Sequence, residues 1–361
     1  MNFKISFIIT ITFILAAKAM YADPSSLPEF ELLGTNGLTY RSEDLKAKKI
    51  VCLVMLSNHC KISQRFEYLI NEISEKMKQN DSILIAISPN NENAIIPDEL
   101  AYSEVGDSYE EMKIRSINNR YTFPYLYDGE KQVVAKQLGS KSTPHGYLFD
   151  RKRKLVFSGK IGDYNKPTDI KESDLFKKYL DCLNDEDPKI THTKVHGTSI
   201  KFTEDIFMAD RIKKRYANET VTLRYIDEKT LKFFIEHLKG SPTIFHIWSS
   251  SVNGFRQNLI ELSSIYKIFR KRGFRLLTIC VDPDKTETEI KTQLERAQLS
   301  AVNLCLKGSE VGSLMKFVPI ESKSTVPFTI LFGNEGNHLY STVGGIDTLR
   351  CKKLIVNELG E

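Results

Sequence analysis

No C-x-x-C pair occurs in this chain of 361 residues, although it holds six cysteines. A dithiol redox centre of the usual spacing is therefore excluded. No histidine stands at zinc-finger distance from any of the six, which removes the common structural zinc sites and leaves no metal ligand set to propose. Six cysteines scattered over this length cannot form a dense disulfide scaffold. Cys52, Cys182, Cys280, Cys305 and Cys351 are expected at apolar positions as buried free thiols, with a Cys280–Cys305 disulfide as an open alternative. Charge of one sign is also lacking. The formal net charge is +5, and Lys and Arg are interspersed with Asp and Glu, so no basic stripe for nucleic acid is present. Beyond the N-terminus no apolar run is long enough to cross a membrane.

What is present fits a folded protein of two domains, at 41% hydrophobic and 27% charged residues. The opening MNFKISFIITITFILAAKAMYAD reads as a signal peptide over residues 1–22. Lys4 supplies the positive start, Ile5 to Ala17 the apolar stretch, and Ala17-Lys18-Ala19 or Met20-Tyr21-Ala22 the cleavage pattern. The product is then exported, periplasmic or secreted, and touches a membrane only through an uncleaved signal. No cysteine near the cleavage site suggests a lipid anchor.

From Lys49 onward, strand-like and helix-like segments alternate. KIVCLVMLS is a near-continuous apolar run, as expected of a strand covered on both faces, and a helix follows over 62–77 with Phe66, Leu69, Ile70 and Ile73 on one stripe. SILIAIS is a second strand, SYEEMKIRSINNR a helix, and YLYD a short strand. A helix carrying Val133, Val134 and Leu138 comes next. STPHGYLFD and KLVFSGKI make a hairpin, and ESDLFKKYLDCLN closes the unit. The first domain is thus expected over 27–184, a polar interdomain connection over 185–219, and a second domain over 220–361. That second half repeats the plan: SPTIFHIWS, a long helix, FRLLTICVD, a helix at KTETEIKTQLERAQ, AVNLCL, a helix at EVGSLMKFV, a Pro-led hairpin and a terminal helix. The corner at Cys60 corresponds to Val252, and Pro144 to Pro327, so the halves read as two copies of one α/β fold.

The order of elements and the segments LSNHC, DSYEEMK, FPYLYD, VAKQLG, STPHGYLFD, KLVFSGKIGD and TKVHGTSIKF resemble exported thioredoxin-like proteins of the AhpC/TSA (peroxiredoxin-related) superfamily. FHIWSSSVNGFRQNL and VPFTILFGNEGNHLYSTVGGID resemble the thioredoxin-like domain of disulfide reductases related to cytochrome c maturation factors. The resemblance implies two tandem thioredoxin-like domains, a nucleophile at Cys60, and a substrate turn at Thr143–Pro144 with a cis peptide. Ser63 stands where related dithiol enzymes carry the resolving thiol, and Thr198 where relatives often carry another cysteine. Val252 and Phe255 replace both cysteines of the second domain's C-x-x-C, so its usual site has lost thiol chemistry. Against the peroxidase signature P-x-x-x-T/S-x-x-C, Ser57 and Cys60 fit, while Leu53 stands in place of the proline.

A cysteine at a strand-to-helix corner faces unsatisfied N–H groups and the positive end of the helix dipole, both of which favour the thiolate. His59 and Lys61 flank it and can add positive charge. With one thiol at the corner, reaction stops at a mixed disulfide or sulfenic acid until a second thiol arrives, from a partner protein, a small molecule or, as an internal alternative, Cys182. The expected partners are protein thiols or disulfides, or a small thiol or peroxide, with no cofactor. A non-catalytic binding protein using the groove beside the turn is the alternative. A true peroxidase would need an arginine beside Cys60, a role for which Arg120 and Arg151 are the candidates. His145 is expected to be a turn residue. Trp248 and Arg256 are expected to serve packing and surface solvation.

Overall fold

The computed structural model describes residues 25–184, 189–282, 284–306 and 326–360. The signal segment and the helix expected at EVGSLMKFV therefore lie outside the described residues. The chain divides into two units, one taking residues up to Ala94 and Val105–Ile206, the other Ile95–Glu104 and Phe207–Glu361. Within the stretch expected as an interdomain connection, residues up to Ile206 thus group with the first unit and those from Phe207 with the second.

In the first unit the order is β1 (Glu31–Gly34), β2 (Thr39–Arg41), β3 (Val51–Met55), α1 (Lys61–Lys78), β4 (Ile83–Ser88), α2 (Tyr109–Asn118), β5 (Tyr125–Tyr127), α3 (Val133–Gln137), β6 (Ser142–Thr143), β7 (His145–Phe149), β8 (Leu155–Gly159), α4 (Asp174–Asn184), β9 (Thr191–His192) and β10 (Thr198–Ser199). The main sheet runs β2-β1-β5-β4-β3-β7-β8-β9, and β10 pairs with β6 as a separate ribbon. β3 lies parallel to β4 and antiparallel to β7. All five of its residues are buried, because both faces are covered. Cys52 and Val54 pack with Phe66, Leu69, Ile70 and Ile73 of α1 and with Leu175 and Tyr179 of α4. Val51, Leu53 and Met55 pack with Phe30, Leu45, Val134 and Leu138 on the opposite face. The three-and-four spacing of the α1 residues puts one apolar stripe against the sheet.

The second unit contains α5 (Ile206–Ala217), β11 (Arg224–Ile226), α6 (Glu228–Glu236), β12 (Thr243–Trp248), α7 (Phe255–Phe269), β13 (Arg275–Cys280), α8 (Glu287–Arg296), β14 (Val302–Leu306), β15 (Phe328–Phe332), β16 (His338–Val343) and α9 (Thr348–Leu359). Its sheet runs β11-β14-β13-β12-β15-β16. The central strand β12 is again parallel to its successor β13 and antiparallel to the Pro-led β15. Both units are thioredoxin-like α/β domains. Loop residues 95–104, between β4 and α2, group with this unit: Asp98 binds Tyr216 and Lys271, and Arg272 Nη1 donates to the Ala101 carbonyl at 2.6 Å.

Register fixes the correspondence between units. Met55 pairs with His145, directly after Pro144, and Ile247 pairs with Phe328, directly after Pro327. Five residues on from Met55 and Ile247 stand Cys60 and Val252. The Thr143–Pro144 and Val326–Pro327 peptides are both cis.

Candidate active site

Cys60 is the N-cap of α1, in extended backbone conformation (φ −77°, ψ 109°). Its sulfur accepts the Ser63 N–H at 3.4 Å, taking up one of the orphan donors of the first turn. On its other side the thiol donates to the Thr143 carbonyl at 3.0 Å, a contact that requires the proton to be on sulfur. The buried Ser63 hydroxyl has no hydrogen-bond partner among the described residues. Burial pushes the thiol's pKa up, but hydrogen bonds from Ser63 and Thr198 outweigh it and leave Cys60 below an ordinary cysteine. The residue is 0% exposed. Three sequence candidates, Ser63, Thr143 and Pro144, therefore meet at this sulfur or directly beside it, and Thr198 joins them because β10 pairs with β6 with Thr198 opposite Thr143.

The three residues before Cys60 are held by a carboxylate that sequence reasoning missed. Asp107 accepts from Ser57 Oγ at 2.8 Å, Asn58 N at 2.7 Å, His59 Nδ1 at 2.9 Å and Asn90 Nδ2 at 2.6 Å. It is almost fully buried. Burial pushes its carboxyl pKa up, but the His59 charge and the hydrogen bonds from His59, Asn90 and Ser57 hold it below the usual range. Asn58 is tied further by Gly106, Gln64 and Tyr125. Ser57 and His59, expected to support the sulfur, thus share the Asp107 carboxylate through hydrogen bonds. Lys61 opens the helix and is half-buried. The signal that could have revealed Asp107 was the acidic residue directly before the Ser108 capping box, within the quoted DSYEEMK segment.

Residues 25–158 match the model of the AhpC/TSA family. The match spans most of the first unit. This redoxin domain places the chain among thiol-redox proteins in general, with thiols or disulfides as the broad class of substrate. Similar solved structures include a hypothetical protein from Sinorhizobium meliloti, 25% identical, spanning 50% of this chain and 93% of its own, with a TM-score of 0.43. An uncharacterized conserved protein from Geobacillus kaustophilus is 26% identical over 49% of this chain and 90% of its own, with a TM-score of 0.39. The pneumococcal exposed lipoprotein thioredoxin from Streptococcus pneumoniae is 24% identical over 36% and 87%, with a TM-score of 0.30. No curated protein matches the chain.

Other candidates fall away from the redoxin domain's sulfur. Leu53 sits mid-strand in β3, paired to Ile85 and Tyr147, where a proline would remove a ladder donor. Arg120 and Arg151 are exposed, in the turns after α2 and between β7 and β8. His145 binds Ser158 Oγ at 2.9 Å and Tyr147 OH at 3.0 Å; burial, with a smaller push from His192, lowers its pKa to about 4. All six cysteines are free thiols and buried. Cys280 and Cys305 sit opposite each other on parallel strands without a disulfide. Burial alone pushes Cys52 strongly upward, so it is a poor thiolate. Among the described residues no cluster of His, Cys, Asp or Glu could hold a metal, and no helix is long and apolar enough to cross a membrane.

In the second unit the corner is rebuilt. Helix α7 starts three residues after Val252, with Gly254 as N-cap at φ +85°, whereas α1 starts one residue after Cys60. Val252 therefore holds the strand register of Cys60 without its place at the helix end. Phe255 stacks on the fully buried Trp248 at 5.7 Å, and Arg256 reaches Gln293 at the surface. Asp282 binds Ser249 Oγ and Ser250 N, the same two positions that Asp107 holds in the first unit. The Asp-bound corner thus recurs, with Val252 in the strand register of Cys60.

Proposed function

We propose that the protein is an exported one-cysteine thiol oxidoreductase in which Cys60 exchanges disulfides with a partner. The supporting observation is the Cys60 sulfur at the N-cap of α1, with a thiol pKa lowered by donors from Ser63 and Thr198. Once the proton leaves the Thr143 carbonyl for solvent or a departing thiolate, the Ser63 N–H and the hydroxyls stabilise the sulfur anion. That anion attacks one sulfur of a partner disulfide. A Cys60–partner bond forms, the partner's S–S bond breaks, and the second partner sulfur leaves as thiolate. A thiol from outside the chain then attacks the mixed disulfide, releases Cys60 and carries away the partner sulfur as a new disulfide. Ser63 marks the position of the lost resolving thiol. The second domain, with Val252 and Phe255 at its corner and Pro327 at its turn, serves partner binding or structure. We further propose the division into a 1–22 signal peptide, a 27–184 catalytic domain, a 185–219 connection and a 220–361 domain.

Exchange with oxidised glutathione and consumption of hydrogen peroxide, compared between wild type and Cys60→Ser, test this reading. A glutathione adduct of one equivalent on the wild type and none on Cys60→Ser is expected. Equal adduct formation in the two proteins would remove Cys60 as the nucleophile. The complete burial of Cys60 favours a second reading, in which the fold binds without catalysis; it predicts no adduct under native conditions with any disulfide.

A further inference from the structure

The thiol chemistry above takes one donor from Thr198, and that residue belongs to a strand that the chain lays across Cys60. Between β9 and α5 the backbone is tied at both ends. On one side Thr193 N donates to Ser158 O at 3.0 Å, and Lys160 N donates to Thr193 Oγ1 at 3.0 Å. On the other, Ile200 N donates to Lys141 O at 3.0 Å, and Lys201 is gripped through Asn90 Oδ1, Asn91 N and Gln132 Nε2 at 2.8–2.9 Å. In between, β10 lies antiparallel on β6, with Thr198 opposite Thr143 and Ser199 opposite Ser142. Gly197 passes so close that a Cβ there would stand 2.0 Å from the Thr143 oxygen. Lys194, His196, Gly197 and Ser199 are exposed, and Ile200 is the segment's one buried side chain. A segment with so few buried apolar contacts opens more easily than the sheet beneath it. Asn90 joins this segment to the corner, since its amide also donates to Asp107.

We propose that Lys194–Ile200 is a strap occupying, from within the chain, the peptide-binding edge beside Cys60, and that the partner is an extended peptide whose disulfide sulfur takes the Thr198 register once the strap lifts. An edge strand pairs readily with an added strand, and main-chain hydrogen bonds recognise extended backbone whatever its side chains. Thr198 sits opposite Thr143, whose carbonyl accepts the Cys60 thiol, so a cysteine of the incoming strand at that register lies beside the nucleophile. The closed strap keeps Cys60 buried, and opening gates its reactivity. The proposal rests on the reading of Cys60 as a nucleophile toward disulfides.

Native-state alkylation by iodoacetamide at neutral pH, read by mass at the Cys60 peptide, tests the strap. Gly197→Val, whose side chain cannot share space with the Thr143 carbonyl, is expected to label at least tenfold faster than wild type. Equal rates in a variant with unchanged circular dichroism overturn the strap. Should Gly197→Val not fold, Thr198→Cys decides instead. With oxidised glutathione as the two-electron oxidant, which leaves as two equivalents of reduced glutathione, the introduced thiol is expected to crosslink to Cys60 within the chain. Absence of that crosslink in folded protein overturns the placement. A peptide copying residues 194–201 with cysteine for Thr198, supplied as its glutathione disulfide, is expected to transfer to Cys60 of Gly197→Val at least fivefold faster than oxidised glutathione does; equal rates overturn the register. Faster alkylation of Gly197→Val without transfer from either disulfide leaves the strap standing and sinks the disulfide-exchange reading. Rapid exchange by wild type at the variant's rate does the reverse.

Discussion

Replacing Asp107 by alanine should destabilise the active corner more than any other polar substitution in the first domain. Four donors converge on this one carboxylate, from Ser57, Asn58, His59 and Asn90, at 2.6–2.9 Å. A hydrogen bond to a charged group contributes about 1.5–3 kcal/mol. The four are not additive, and the expected loss is that of breaking a buried charged network, about 3–5 kcal/mol. At its lower end that is roughly a 150-fold shift in the opening equilibrium. Asp107→Asn should lose nearly as much, because a single amide oxygen cannot serve four donors and its NH2 group opposes them. Amide hydrogen exchange of β3 and the first turns of α1 reads the effect locally. The acid limb gives an independent check. The folded pKa of Asp107 lies below the unfolded value of about 3.9, so its contribution is complete above that value and is lost as pH falls through the folded pKa. That acid-dependent loss should vanish from the Asp107→Asn profile. An Asp107→Ala protein within about 1 kcal/mol of wild type, with an unchanged acid profile, would refute the assignment of Asp107 as the clamp of this corner.

The thiolate absorbance at 240 nm, taken as wild type minus Cys60→Ser, should titrate below the ordinary cysteine value of about 8.5 and shift upward in Ser63→Ala; a midpoint at or above that value contradicts the donor geometry. His246, buried on β12 with Nδ1 2.8 Å from Thr329 Oγ1, has its pKa lowered by burial to about 3. It should show no NMR titration between pH 5 and 8. Its neutral form contributes stability above about pH 6.5 that drains away as pH falls toward 3, by at most about 5 kcal/mol, and a midpoint near 6.5 would show that the ring is solvated. Leu69→Ala, in the buried layer between α1 and the sheet, should destabilise by about 2–5 kcal/mol in denaturant titration, and a loss under 1 kcal/mol would mean that the layer collapses freely around the gap. Cys52 should resist iodoacetamide until the protein unfolds; native-state labelling would contradict its placement in the core.

The sequence by itself determined the two α/β units and the position of Cys60. Long apolar strands and three-and-four helix stripes are local patterns, and β3 with α1 needs no distant information to be read. Register around the two prolines was legible for the same reason, because each hairpin is continuous in sequence. The short strands β9, β10 and β11 escaped because two or three residues carry no periodicity. The surroundings of Cys60 were decided by tertiary structure. Asp107 lies 47 positions along the chain and Thr198 138 positions along it, and nothing in either residue announces its target until the sheet order brings them together. The second corner shows the limit from the other side: register gave Val252 the place of Cys60, but where α7 begins was set by Gly254 and by Phe255 packing on Trp248. Patterns along the chain choose the scaffold, because burial acts on every second or every third and fourth residue. Chemistry at a sulfur depends on which donors arrive within about 3.5 Å, and that is fixed by contacts between elements far apart in sequence.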